Sequence, residues 1–395
     1  MRHPDELKQD RSLAINGGTP RFDELPWEDT GIVPEAADDV AALIRTRRTV
    51  YWGGGPHSKR LEADFAALIG RERAFFHQSG TAALQTALFA LGVEEGTPVA
   101  LSDSGFVASL NAIYHLRARP VFLPTHPDTL QCVDDVAEWT AGTPVHTALI
   151  THFFGNVADV EAIRRSSGTQ YLVEDGGQAH GATLRGKPVG AYGEIGSFAG
   201  STKKLVTAGQ GGLNVYDDPD IDWRMRTYGH HGKSGNFEGV FPGYNFRGGE
   251  IEAILAHAAL QQLADRVAAR NATADAMFEV FDAAGIRTAR PAAGLDCTPA
   301  WFDVALVLDE EWAGHRDWLV DALVAEGIPG WHYPALIGMP WVKPWMTSKG
   351  WWGEREEHLL GTERALWDRT LVLGTQMSPE DARRVATATV ELLKG

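Results

Sequence analysis

Apolar residues recur along this chain with two spacings, and the alternation of the two predicts its architecture. Between residues 35 and 48, Val40, Leu43 and Ile44 fall on one helical face, with acidic residues at the N-terminal end. Residues 60–69 repeat that amphipathic pattern. From residue 74 onward, short apolar runs take turns with helical segments. Strands are expected at 74–78, 98–101, 120–123, 147–152 and 170–174, and helices at 81–91, 107–116 and 157–165. Such alternation builds a mostly parallel sheet with helices on both faces, an α/β fold. Ligands collect at the carboxyl ends of parallel strands, where Ser79, Asp103 and Asp175 fall.

The outer parts of the chain read differently. Residues 1–30 have turn residues and little periodicity, which suggests an extended arm. Residues 251–285 form a long, proline-free, alanine-rich helical pattern suited to bridging two domains. Beyond it, FDVALVL is strand-like, residues 316–327 are helical up to Gly327, and residues 379–395 form a terminal helix. The expected division is an arm at 1–30, a large α/β domain at 31–255, and a bridging helix with a smaller α+β domain at 256–395. Six of the 13 tryptophans lie between Trp331 and Trp367. That density fits a loop lining a cleft or interface, and burial inside the small domain fits equally well.

Composition narrows the class. A length of 395 residues suits a large domain plus a smaller one, and 44% hydrophobic with 22% charged residues is ordinary globular usage. The net charge of -16 argues against nucleic acid as a partner, because phosphate backbones select basic faces. Cys132 and Cys297 are too few for a disulfide framework and point to a reducing cytoplasm. No apolar run is long enough for a bilayer, and the polar start has no signal-peptide core, so no membrane partner is expected.

Candidate chemistry centres on GEIGSFAGSTKKLVTAGQGG, residues 193–212. Lys203 and Lys204 lie there between an apolar entry and a glycine-rich exit. Upstream, VEDGGQAHGA places Asp175 at the end of an apolar strand, and HQSGTAAL puts Ser-Gly-Thr at the mouth of a helix. These supply an amine nucleophile, a buried carboxylate and an anion-binding helix start. Pyridoxal phosphate needs that set: a lysine to hold it, a carboxylate for its ring nitrogen and a cup for its phosphate. No metal is expected. The triple glycine of YWGGGPHS reads as a mobile turn bordering the site. A nicotinamide fingerprint is excluded, because the nearest match, GQGGLNV, leads into a strand.

In order along the chain, HQSGTAAL, SGFVASLNA, THFFGNVADVEAI, VEDGGQAHGA, KLVTAGQGG and GYNFRGGEIEA resemble the DegT/DnrJ/EryC1/StrS aminotransferases. The resemblance implies a fold-type-I pyridoxal-phosphate enzyme with a seven-stranded sheet. It also implies transfer of an amino group from glutamate or glutamine to a keto-sugar or keto-cyclitol. Lys204 takes the place of the Schiff-base lysine; read from the residues alone, the adjacent Lys203 is a candidate for a neighbouring charge that lowers its pKa. Asp175 takes the pyridinium partner's place and Gln178 that of the residue facing the phenolic oxygen. Gly80 and Thr81 match the phosphate cup, and Phe106 the ring-stacking aromatic. Asn245 matches an asparagine that reaches the neighbouring subunit's phosphate, implying a homodimer with shared sites. LAINGGTP and TAGQGG lean toward the cyclitol and aminoshikimate-type branch of antibiotic biosynthesis.

Two departures stand out. Ala199 occupies a position where relatives have a phosphate-binding serine, with Ser201 as a candidate substitute, and Ile337 replaces a histidine of the C-terminal loop. Gly176 and Gly177 also stand where two alanines are usual. The rival readings are a lyase or dehydratase on the same scaffold, and a non-catalytic cofactor-binding partner protein.

Overall fold

The computed structural model describes residues 2–22, 31–49, 53–140, 142–235 and 237–394. Seven strands make the central sheet: β1 Arg73–His77, β2 Pro98–Ser102, β3 Arg119–Leu123, β4 Thr147–Thr151, β5 Tyr171–Asp175, β6 Ile195–Ala199 and β7 Gly212–Tyr216. Their spatial order is β1-β7-β6-β5-β4-β2-β3. The pairs from β3 through β6 are parallel, whereas β7 runs antiparallel to both of its neighbours. Helices cover both faces, so the central strands are apolar throughout: Ala148, Leu149 and Ile150 of β4 are fully buried.

The strands β6 and β7 flank the lysine loop, and glycine gives both a weak sequence signal. Gly196 is needed for close approach, since a Cβ there would stand 2.6 Å from the Cα of Gly190. The helix Gly80–Ala90 follows β1 and is buried along most of its length, which its small alanines allow.

A second sheet joins β8 Asp303–Val307, β9 Gly330–Trp331 and β10 Thr370–Gly374 in the antiparallel order β8-β10-β9. Its core holds Phe278, Phe281, Leu319, Leu371 and Leu392. Leu7 and Leu13 are buried in the same cluster. The N-terminal segment is therefore not extended throughout: Pro4–Gln9 is a helix docked on this unit, and its two leucines were too sparse to show periodicity. Residues 23–30 of the expected arm, and Tyr51 and Trp52 of the glycine-rich loop, lie outside the described residues.

The long helical pattern at 251–285 is two helices, Glu250–Gln261 and Leu263–Ala283, separated at Gln262 (φ -100°, ψ 5°). Neither proline nor glycine marks that break, so composition could not reveal it. No helix among the described residues is long and apolar enough to cross a membrane.

Candidate active site

A cavity of about 510 Å³ opens at the carboxyl ends of β4, β5 and β6 and is closed on the far side by Phe302, Trp331, Tyr333 and Gln376. It brings together Gly80, Thr81, Phe106, Asp175, Gln178 and Lys204.

Asp175 ends β5, buried, and its carboxylate is held in place. Oδ2 accepts from the Ser109 hydroxyl (2.8 Å) and weakly from Thr151 (3.5 Å), and Oδ1 accepts from the Gly177 N–H (3.0 Å). Its neighbour Glu174 is fully buried as well, where its carboxylate accepts from the N–H groups of Gly190, Tyr192 and Gly193 and contacts His152 Nε2 at 3.3 Å. Those bonds anchor the end of β5 and hence Asp175. Gln178 is oriented by its Oε1, which accepts from the Phe154 N–H at 2.7 Å. Its NH₂ is thereby left to donate.

Gly80 and Thr81 occupy the first helical turn after the N-cap Ser79, whose Oγ accepts from the Ala82 N–H at 3.1 Å. Neither residue has an i−4 carbonyl inside the helix, so their N–H groups are available to an anion. A Cβ on Gly80 would stand 2.7 Å from the Ala199 Cβ, so glycine here is what lets β6 approach the helix. Ser201 and Ser197 also line the cavity, and the buried Ser197 Oγ has no hydrogen-bond partner among the described residues.

Lys204 lies in the loop between β6 and β7, its Nζ 4.2 Å from the Phe302 ring centroid. Burial depresses its pKa to about 8, against the opposing pull of the Asp303 and Asp175 carboxylates. The cation that adds to this depression is Arg270, from the helix Leu263–Ala283, and not Lys203 as the sequence suggested. Lys203 lines the same cavity and adopts a left-handed φ of 70°.

Other expectations are redrawn too. Phe106 is 52% exposed at the cavity rim, which rules out ordinary core packing. Asn245 is exposed, bonded to the Arg247 guanidinium (2.9 and 3.1 Å), and lines no part of this chain's cavity. Ile337 is buried away from the cavity; its N–H donates to Asp103 Oδ1 at 2.6 Å, so Asp103 ties down the C-terminal loop instead of lining the site. Of the six clustered tryptophans only Trp331 reaches the cavity, while Trp367 is buried and the other four pack against the core.

Sequence reasoning missed Phe302, Asp303, Arg270, Tyr333 and Gln376, which come from distant segments. Asp303 alone had a signal, as the single charge inside the apolar run FDVALVL.

A mixed seven-stranded sheet with an amine, a buried carboxylate and a helix start around one cavity is the arrangement of a fold-type-I transferase. Residues 34–389 match the sequence model of the DegT/DnrJ/EryC1/StrS aminotransferase family. The L-glutamine:2-deoxy-scyllo-inosose aminotransferase of Streptomyces kanamyceticus is 31% identical, with 90% of this chain and 88% of that protein covered. The GDP-perosamine synthase of Caulobacter vibrioides is 29% identical over 69% of this chain and 75% of its own. Among solved structures, the aminotransferase TlmJ from Streptoalloteichus hindustanus superposes with a TM-score of 0.79 at 26% identity, covering 92% of this chain and 96% of that one. DesV of S. venezuelae, solved in complex with a ketimine intermediate, gives 0.77 at 26%, covering 91% and 93%. The chain belongs to the DegT/DnrJ/EryC1/StrS aminotransferase family and is an aminotransferase.

Proposed function

We propose that this enzyme uses pyridoxal phosphate to move an amino group from glutamine or glutamate to a ketone on a polyhydroxylated ring, a keto-cyclitol or keto-sugar. The observation that carries the reading is the Lys204 amine, made nucleophilic near neutral pH by burial, sharing one cavity with the anchored Asp175 carboxylate. The chemistry of the donor set fits the cofactor. Ser197 Oγ and Gln376 Nε2 are buried polar atoms without partners among the described residues, both lining the cavity, and so have capacity for a polar ligand. The relatives named as glutamine:inosose aminotransferases support the substrate class.

When bound, the cofactor supplies an aldehyde for covalent capture of amines and a ring that accepts electrons. Lys204 would hold that aldehyde and, once displaced by the donor, its free Nζ would carry a proton between substrate and cofactor carbons. Asp175 would accept a hydrogen bond from the ring nitrogen, fixed for that task by Ser109 and Gly177. The Gly80 and Thr81 N–H groups would face the phosphate, with Ser201 supplying a hydroxyl near the place where Ala199 offers none. Phe106 would cover the ring, and the Gln178 amide would donate to its oxygen.

We also infer a homodimer. Phe237, Val240 and Tyr244 are 83%, 56% and 47% exposed on the same loop as Asn245, an apolar surface that a second copy would cover. That packing would bring Asn245 to the partner's phosphate site. Sedimentation giving a monomer at micromolar concentration would overturn this part. Both cysteines are free, which suits the reducing cytoplasm where we place the enzyme.

The central test is chemical. Borohydride reduction of the yellow protein, then digestion and mass spectrometry, should find a pyridoxyl group on Lys204; a reduced holo protein without that adduct would refute the reading. Release of 2-oxo acid from glutamine in the presence of a keto-cyclitol separates amino transfer from dehydration.

A further inference from the structure

The roles above leave the far wall of the cavity without a task. Phe302, Trp331, Tyr333 and Gln376 make up that wall, and none of the four is charged. Gln376 is buried, and its Nε2 has no hydrogen-bond partner among the described residues although the residue lines the cavity. A buried donor left unpaired costs stability, so this one has capacity for an acceptor that the chain does not supply. The backbone around it is pinned on both sides. Thr375 Oγ1 donates to the Phe302 carbonyl at 2.7 Å and accepts from the Arg270 guanidinium at 3.0 Å, and the Thr273 hydroxyl donates to the Met377 carbonyl at 2.8 Å. Trp331 comes from β9, which pairs with β10 so that Trp331 stands opposite Val372. Gly374, the last residue of β10, leaves room for both side chains: a Cβ there would stand 3.0 Å from Gln376 Oε1 and 3.0 Å from the Trp331 indole. One amide and one indole are thus side by side in the same wall.

We propose that Gln376 and Trp331 form the subsite that recognises the amino acceptor: the Gln376 amide donates to a hydroxyl of an uncharged, polyhydroxylated six-membered ring whose C–H face lies on the Trp331 indole. The inference rests on the reading of this cavity as an aminotransferase site, and it names the part of the cavity that selects the ketone. Three features favour this ligand over the donor amino acid. The carboxylate of an amino acid calls for a cation, and the cavity's cations, Lys203 and Lys204, lie in the lysine loop and not in this wall. A polyol ring has apolar C–H faces and a polar edge, which matches aromatic side chains interrupted by one amide. The wall also rejects the wrong ring, because one lacking the hydroxyl would leave the buried Nε2 unpaired. A cavity of about 510 Å³ has space for such a ring together with the cofactor.

The test uses purified full-length protein and probes that cannot react. scyllo-Inositol presents a hydroxylated ring without a carbonyl, and UDP-glucose presents one linked to a nucleotide, so calorimetry with each reports recognition free of chemistry and separates the two sources of such a ring. The wild type should bind one of them, and should bind cyclohexanol, which has a single hydroxyl, far more weakly. Gln376→Met keeps the length of the side chain and removes the amide. It should weaken the bound probe roughly 3- to 10-fold, the effect of one lost hydrogen bond. Its thermal midpoint should be equal or higher, since a buried donor without a partner has been removed. Gly374→Ala takes away no functional group but intrudes on both side chains, and should weaken the same probe. Binding of neither probe by the wild type, or a folded Gln376→Met with wild-type affinity, would overturn the proposal. Were Gln376→Met to lose affinity for glutamine and keep it for the ring, the wall would belong to the donor and the proposal would fall. Trp331→Leu carries the same readout if Gln376→Met does not fold, and failure of both to fold would assign the pair to structure and overturn it too. The aminotransferase reading is judged separately, by the pyridoxyl group on Lys204: protein that carries that group and binds neither probe would refute the subsite alone.

Discussion

At Asp175 the surroundings do more than the residue type. An aspartate at a strand end is commonplace; three donors on its two oxygens fix this one in a single orientation. Asp175→Asn keeps the shape and loses the charge. The expected loss is that of a charge-assisted hydrogen bond, about 1.5–3 kcal/mol, so cofactor affinity measured by fluorescence titration should fall roughly 10- to 100-fold. Gly80→Ala tests a different constraint. Its Cβ would meet the Ala199 Cβ at 2.7 Å, and overpacking of that kind costs about 1–3 kcal/mol, so both the thermal midpoint and cofactor affinity should drop. Lys204, Asp175, Gln178, Gly80, Thr81 and Phe106 were legible because each sits in a local motif. Arg270 was not, because a lone arginine on a helix has no pattern that says which loop it will face.

Elements succeed where their neighbours let them. Residues 153–155 form a short turn of helix whose carbonyls accept from the second unit: Ala300 N–H to Gly155 and Phe302 N–H to Phe154, at 3.0 and 2.8 Å. Gly155 has a φ of +78°, and a Cβ there would lie 1.9 Å from the Ala300 carbonyl oxygen. Gly155→Ala combines left-handed strain with a backbone collision and should cost about 3 kcal/mol. Because Phe302 is part of that seam and lines the cavity, the same variant should also weaken cofactor binding in fluorescence titration; an unaltered affinity and melting curve would refute the account. The helix Gly80–Ala90 depends on its cap, and Ser79→Ala should lower stability by about 1 kcal/mol in thermal unfolding. Strand alternation was readable through β5, where each run is apolar and bounded by turns. It faltered at β6, where close backbone contacts replace side chains with glycine, while β7 was read only as the strand that GQGGLNV leads into.

On the scale of the whole molecule, charge and burial together set the response to acid. His77 and His180 are buried and held neutral, mainly by desolvation, with pKa values near about 3. Below pH about 6.5 the unfolded chain takes up protons that the folded one refuses, so these two groups make stability fall as pH drops toward about 3. Each contributes a slope of about 1.4 kcal/mol per pH unit. His77→Gln keeps an acceptor for the Asn214 amide, which lies 3.1 Å from His77 Nε2, and should flatten the acid limb of the thermal midpoint relative to wild type. An identical acid limb in the variant would sink the assignment. Asp303 works in the opposite sense, since its raised pKa of about 7 means its stabilising proton is lost as pH rises through that value. By itself the sequence determined the alternating α/β order, the lysine loop, the strand-end carboxylate and the helix start, because periodicity and short motifs are local properties of a chain. Only the tertiary structure decided that Phe302 meets Lys204, that Arg270 is the cation that acts on it, and that one tryptophan of six reaches the cavity. Those facts depend on how segments far apart in the chain pack against each other, and such packing leaves no spacing rule along the chain.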